Sequence, residues 1–276
     1  MLFNMWKYMK NLSLNILVVG ATGSIGQHVV QQALQQGHRV RALVRSTSKA
    51  SQLPAQAEKV IGDVTQPETL IGIAQGIDAI VFTHGTHRQT PAMSETLDYG
   101  GVRNVLLAFA GQQPRVALMT AIGVTERKGS YNRSTQAHDW KRRAERLLRA
   151  SGLDYTIVRP GWFDYNDNNQ HKLLMLQGDR HHSGTPSDGV IARSQIAAVL
   201  LASLCSEAAV NKSFELVAEK GVQQGDLNGL FADLKTDIAG KLDAVDDLDN
   251  MPLEEEPERC VLQLQQMREQ AAQLLP

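Results

Sequence analysis

Short apolar runs alternate with amphipathic segments from residue 15 to about residue 218. NILVV (15–19), RVRALV (39–44), KVIG (59–62), DAIVFT (78–83), RVALMT (115–120), YTIVRP (155–160) and SFELVA (213–218) have the length and β-branched content of strands. Helical spacing of apolar residues covers 25–36, 67–75, 94–111, 136–151 and 193–206. Strands apolar at nearly every position and separated by helices imply a parallel sheet covered on both faces. The expected fold class is therefore α/β: a doubly wound parallel sheet of Rossmann type, with a small substrate region over 160–190.

The pattern changes after Gly221. Residues 226–258 are rich in Asp and Glu, including EEEPE at 254–258, and an amphipathic run, CVLQLQQMREQAAQLL, spans 260–275. Three regions follow: an N-terminal extension (1–13), a main domain (14–220) and an acidic, helical C-terminal appendage (221–276). The appendage is expected to pack on the main domain, or to offer a contact to a second copy or another protein.

The helix AHDWKRRAERLL (137–148) carries an apolar stripe. At about 100° per residue, Ala137, Trp140, Ala144, Leu147 and Leu148 share one face. Arg142, Arg146 and Arg149 fall opposite and are expected to be solvated, with Arg143 lateral. Lys141 lies at the edge of the stripe, where it can point inward.

Composition adds exclusions. The 276 residues carry a formal net charge of −1, which provides no overall attraction to nucleic acid or to an anionic membrane. Cys205 and Cys260, the two cysteines, lie far apart and fit reduced thiols better than a disulfide framework. The N-terminus mixes Lys7 and Lys10 into its apolar residues, and Met9 is a second candidate start. No stretch approaches the roughly 20 apolar residues of a membrane helix. A cytoplasmic location is expected.

VVGATGSIGQHVV (18–30) follows the first strand and opens a helix. Gly20, Gly23 and Gly26 allow a tight turn and close approach of a diphosphate. Thr22, Ser24 and Ile25 bring amide donors to the same helix N-terminus. This is a dinucleotide-binding pattern. The second strand ends at Arg45, where an NAD site usually has an acid for the ribose hydroxyls. Arg45, with Ser46, Ser48 and Lys49 nearby, instead suits a 2′-phosphate, so NADP(H) is the expected cofactor.

GATGSIG (20–26), LVR (43–45), GDVTQPETL (62–70), VFTHGT (81–86) and SGLDYTIVRPG (151–161) together resemble the short-chain dehydrogenase/reductase superfamily, in its atypical, NmrA-like NAD(P)-binding branch. The resemblance covers roughly residues 14–220. It implies that Asp63 and Val64 contact the adenine, and that Thr83, His84 and Gly85 line the cofactor ribose. It further implies that Thr120 takes the usual serine position and that Pro160, Gly161 and Trp162 adjoin the nicotinamide. In active members a lysine such as Lys141 binds the nicotinamide ribose and lowers the pKa of a tyrosine four residues earlier. Here that position is Ala137. The usual proton donor is missing, and Tyr131, His138 and Tyr165 are the candidate replacements. Thr120, Lys141 and Tyr131 form the expected catalytic set.

Asp179, His181, His182 and Asp188 lie close together in GDRHHSGTPSD (178–188), but their spacing matches no zinc signature, and no metal site is expected. WFDYNDNNQH (162–171) is read as pocket wall, with Trp162, Phe163 and Tyr165 able to stack on a planar substrate. Two functions fit these residues. One is an NADPH-dependent oxidoreductase acting on a small carbonyl, quinone or flavin-like substrate. The other is a non-catalytic NADP(H)-binding sensor or assembly protein. Neither a nucleic-acid nor a membrane partner is expected.

Overall fold

The computed structural model describes residues 13–85 and 90–273. Almost all of the N-terminal extension, Thr86 and the last residues of the amphipathic run lie outside that range. The strands are β1 (Asn15–Val19), β2 (Arg39–Val44), β3 (Glu58–Ile61), β4 (Ala79–Phe82), β5 (Arg115–Met119), β6 (Tyr155–Pro160), β7 (Trp162–Phe163), β8 (Lys172–Leu176), β9 (Val190–Ile191) and β10 (Lys212–Glu219). The helices are α1 (Gly26–Gln35), α2 (Thr47–Ala50), α3 (Gly101–Ala108), α4 (Ser130–Thr135), α5 (Ala137–Ala150), α6 (Arg193–Leu204), α7 (Asn228–Ala232) and α8 (Glu258–Ala272), with shorter turns between them.

The sheet runs β3-β2-β1-β4-β5-β6-β10-β9-β7, and β8 also pairs with β10. Neighbours from β3 through β10 are parallel, whereas β8 and β9 lie antiparallel to β10. The expected α/β fold is the observed one: a mostly parallel Rossmann-type sheet between helical layers, with a helix near the C-terminus. Alternation builds both layers at once. In β1, Ile16 and Val18 pack with α1 and α6, while Leu17 and Val19 pack with α3, α5 and α8.

Two expected helices are shorter than their patterns. Over 67–75 only a 3-10 turn forms (Pro67–Leu70), because Ile71 leaves helical geometry (ψ 128°) and Gly72 follows at φ 78°. Over 94–111 a π segment, Ser94–Gly100, precedes α3. The π turn faces three side chains, Ser94, Asp98 and Tyr99, into the interior.

The arginines of α5 overturn the expectation of a solvated face. Arg142 and Arg146 are 0% and 2% exposed, and Arg149 is buried as well. The appendage folds across them. Arg142 and Arg146 share Asp243, at 2.9 and 2.6 Å, and Arg143 pairs with Glu256 at 2.7 Å. Arg149 reaches Asp237 at 3.2 Å and Glu145 at 3.4 Å. Helical periodicity identified a polar face correctly but could not see an acidic segment returning over it. Cys260, Leu264 and Met267 of α8 then join the apolar layer beneath.

Candidate functional site

In a parallel sheet every strand points its C-terminal end the same way. The segments after β1 to β6 therefore meet at one edge, bringing together Gly20, Arg45, Asp63, Thr83, Thr120 and Gly161. Strand order reverses between β1 and β4, which opens a crevice at that edge.

The glycine-rich turn borders this crevice. Gly20 has φ 87°, and a Cβ on it would stand 2.6 Å from the His84 amide nitrogen. A Cβ on Gly26 would stand 2.1 Å from the Gly20 carbonyl oxygen. Both positions demand glycine, so the turn stays tight and its backbone accessible. Gly23 and Ser24 are exposed, Thr22 is half-buried, and the Ile25 side chain anchors the turn in the core. The N-terminus of α1 has neither a side-chain cap nor an acid in its first turn. Its amides and its dipole are thus left for an anion. These features fit a dinucleotide diphosphate, with Thr22, Gly23, Ser24 and the first amides of α1 as its holders.

Arg45 is exposed at the end of β2 and has no ion-pair partner among the described residues. Ser46 is occupied locally, accepting from the Lys49 amide to cap α2. Asp63 accepts from the amide and hydroxyl of Thr65 at 2.9 and 2.8 Å. The Val64 side chain is buried against α3 and its carbonyl accepts from Asn104, so little of it faces the crevice.

Thr83 and His84 each engage a backbone carbonyl. The Thr83 hydroxyl donates to the Val19 carbonyl at 3.2 Å. His84 Nε2 lies 2.9 Å from the Leu97 carbonyl, which can only accept, so the ring proton is on Nε2. Burial lowers the pKa of this imidazole and keeps it neutral. Gly85 is exposed beside Asp98.

Ala137 is fully buried, and Lys141, one turn on, points inward as its place on the stripe allows. Its Nζ lies 2.7 Å from Asp98 Oδ2, with the two side chains 14% and 2% exposed. The sequence did not single out Asp98. Its only signal was the Gly100–Gly101 pair that interrupts the expected helix. Tyr131, on α4, packs edge-on against His138 with ring centroids 5.1 Å apart. Burial and the charge of Asp98 raise the Tyr131 pKa, which keeps the phenol protonated.

Thr120 is committed elsewhere. Its hydroxyl donates to Glu145 Oε1 at 2.7 Å, within a buried network. Burial opposes the Glu145 charge, but Arg159 and Arg149 outweigh it and hold the carboxyl below its ordinary range. Arg159 also contacts Glu215 and Asp247, at 3.2 and 2.7 Å. Asp179 accepts from the amides of Gly123 and Thr125 at 2.6 and 2.7 Å, fixing the loop after β5. His182 lies 3.6 Å from Asp179, which raises the imidazole pKa. Among the described residues no three His, Cys, Asp or Glu side chains gather as a metal site.

Pro160 and Gly161 are buried at the end of β6, while Trp162 is 36% and Tyr165 63% exposed. Their rings stand at 88° with centroids 6.1 Å apart. This exposed aromatic pair belongs to the wall expected over 162–171.

The sequence profile of the NAD(P)H-binding family matches residues 20–207. The chain belongs to that family. Three relatives illustrate its range. The photosystem II assembly factor Ycf39 of Cyanophora paradoxa is 30% identical over 78% of this chain, which spans 66% of that protein's length. YhfK of Bacillus subtilis, named an uncharacterized sugar epimerase, is 31% identical over 74% of this chain and 94% of its own. Sanguinarine reductase of Eschscholzia californica is 27% identical over 81% and 97%. The fold is similar to a short-chain dehydrogenase from Burkholderia cenocepacia solved with NADP, with TM-score 0.55 and 19% identity over 80% of this chain and 91% of that one. The resemblance read from the sequence holds at the level of an NAD(P)H-binding family with a Rossmann-type fold. No helix among the described residues is long and apolar enough to cross a membrane.

Proposed function

We propose that this protein is an NADPH-dependent reductase of the NmrA-like type whose acceptor is a flat, conjugated molecule of quinone or flavin kind. The observation carrying this reading is the pairing of a buried Ala137 with an inward Lys141 at the cofactor edge. The ribose-holding cation is kept and the usual acid is gone. NADPH, when bound, supplies a hydride. Arg45 meets its 2′-phosphate, and Lys141, oriented by Asp98, meets the nicotinamide ribose. Trp162 and Tyr165 hold the acceptor ring by stacking.

Delivery of a hydride to a simple ketone creates a localised alkoxide that needs a proton at once. A conjugated acceptor spreads the charge, so water can protonate it later. A later proton comes from water or from Tyr131, whose phenol stays protonated. Thr120 positions the loop through Glu145 and has no spare proton for the substrate. A related chain is named sanguinarine reductase, which supports a reductase reading.

The second reading is a non-catalytic NADP(H)-responsive partner protein. Ala137 favours it, as does the likeness to an assembly factor. Two assays separate the readings. Fluorescence titration should give NADPH binding at least several-fold tighter than NADH, with Lys141→Ala weakening NADPH by about 1.5–3 kcal/mol. NADPH oxidation should be fast with quinones or flavins and slow with aldehydes and ketones. Equal binding of the two cofactors removes Arg45 from its role. Binding without turnover of any acceptor supports the sensor.

A further inference from the structure

Arg193 opens α6, on the layer beside α1, and its side chain leaves the helix toward the glycine-rich turn. Its Nε donates to Ser24 Oγ at 3.1 Å. A terminal nitrogen of the same guanidinium pairs with Asp164. The guanidinium carbon also stands 5.3 Å from the Phe163 ring centroid. Asp164 adopts φ 58°, a left-handed conformation that a non-glycine residue holds only when its surroundings enforce it. Its other carboxylate oxygen accepts from the Arg193 amide at 3.0 Å. One residue of the substrate region thus holds both the backbone and the side chain of Arg193.

The turn GATGSIG contains no lysine or arginine. Its own attraction for a diphosphate comes from amides and the α1 dipole alone. Arg193 is a full cation attached to that turn through Ser24, and its side chain is 31% exposed. Among the described residues its second terminal nitrogen has no acceptor. The guanidinium has five donors, and here only two of its nitrogens are engaged. Asp164 is 49% exposed, so exchanging this partner for another anion carries little penalty of burial.

We propose that Arg193 is a diphosphate-binding residue. It transfers part of its side-chain pairing from Asp164 to the cofactor diphosphate at the glycine-rich turn, while the Arg193 amide keeps its bond to Asp164. This rests on the reading that NADPH occupies the crevice. It goes beyond that reading by assigning the cofactor a ligand from outside the glycine-rich turn, one shared with the substrate wall through Asp164.

The test is calorimetric titration with two ligands. NADPH carries the diphosphate bridge, whereas 2′-AMP keeps the adenosine and 2′-phosphate but has no 5′-phosphate. R193A should weaken NADPH about tenfold or more and leave 2′-AMP within about twofold. D164N removes the competing charge and keeps an acceptor for the Arg193 amide, so NADPH should bind it as tightly as wild type or tighter. If R193A melts early, R193K decides: it keeps the charge, loses the fork, and should still lose several-fold for NADPH alone. Wild-type NADPH affinity in R193A or R193K overturns the proposal. Equal losses in R193A and D164N overturn it too, because Arg193 would then be only a strut for the wall. A wild-type protein that binds neither nucleotide removes the NADPH reading, and this inference with it.

Discussion

Glu215 shows how burial sets the chemistry of a single residue. Around Arg159 and Arg149 lie Glu145, Glu215, Asp237 and Asp247, more buried carboxylates than cations. Such an excess cannot all ionise in a low-dielectric interior. Burial pushes the Glu215 carboxyl up to about 7, and Arg159 offsets only part of that rise. Between the ordinary glutamate range and about pH 7 the folded chain therefore keeps a proton that the unfolded chain releases. This contribution to stability is fully present below the ordinary glutamate pKa and is lost as pH rises through about 7. Urea melts at pH 5 and pH 8 should show it as about 1–3 kcal/mol in the wild type, over and above whatever change Glu215→Gln retains. Parallel pH profiles of the two proteins would place the proton on another carboxylate.

At the scale of one element, α5 has two buried faces built from different chemistry. Its apolar stripe packs on the sheet, and its arginines are covered by carboxylates of the appendage. Arg146 donates twice to Asp243, which is partly exposed, and once to the Met251 carbonyl at 2.6 Å, a buried bond. Arg146→Ala should cost about 2–4 kcal/mol of stability, because it leaves part of a buried ion cluster unpaired. NADPH affinity should not change while the protein is folded, since Arg146 faces away from the crevice. A melting temperature equal to wild type would mean that Arg142 alone suffices to hold Asp243. The same element carries Lys141 on its other side, so a melt and a titration report separately on its two faces.

For the whole molecule, these ion pairs decide what can be removed. Every motif of the cofactor crevice lies before residue 220, and on sequence alone much of 221–276 is dispensable for binding, with the apolar face of 260–275 the part at risk. The structure argues otherwise. Cutting after residue 220 would strip Asp237, Asp243, Asp247 and Glu256 from Arg142, Arg143, Arg146, Arg149 and Arg159. It would also bare the apolar layer under Leu264 and Met267. A chain ending at residue 220 should be insoluble, or should lose cooperative melting. A soluble, NADPH-binding fragment of that length would show that the appendage is a separable cover.

The sequence by itself determined whatever depends on local pattern. Short, nearly continuous apolar runs placed β1, β2, β4, β5 and β6 nearly to the residue, and the glycines after β1 marked the diphosphate turn. They could do so because a strand's burial and a turn's backbone freedom are properties of a few adjacent residues. The same holds for the loss of the tyrosine at Ala137. What the tertiary structure decided was which charges meet. Asp98 reaches Lys141 across a π turn, Glu145 takes the Thr120 hydroxyl, and Arg193 reaches Ser24 across two elements. The acids of 237–256 neutralise a helix face that looked solvated. Each of these pairs joins residues far apart in the chain, and a charged side chain carries no local sign of whether water or a distant counter-ion will solvate it.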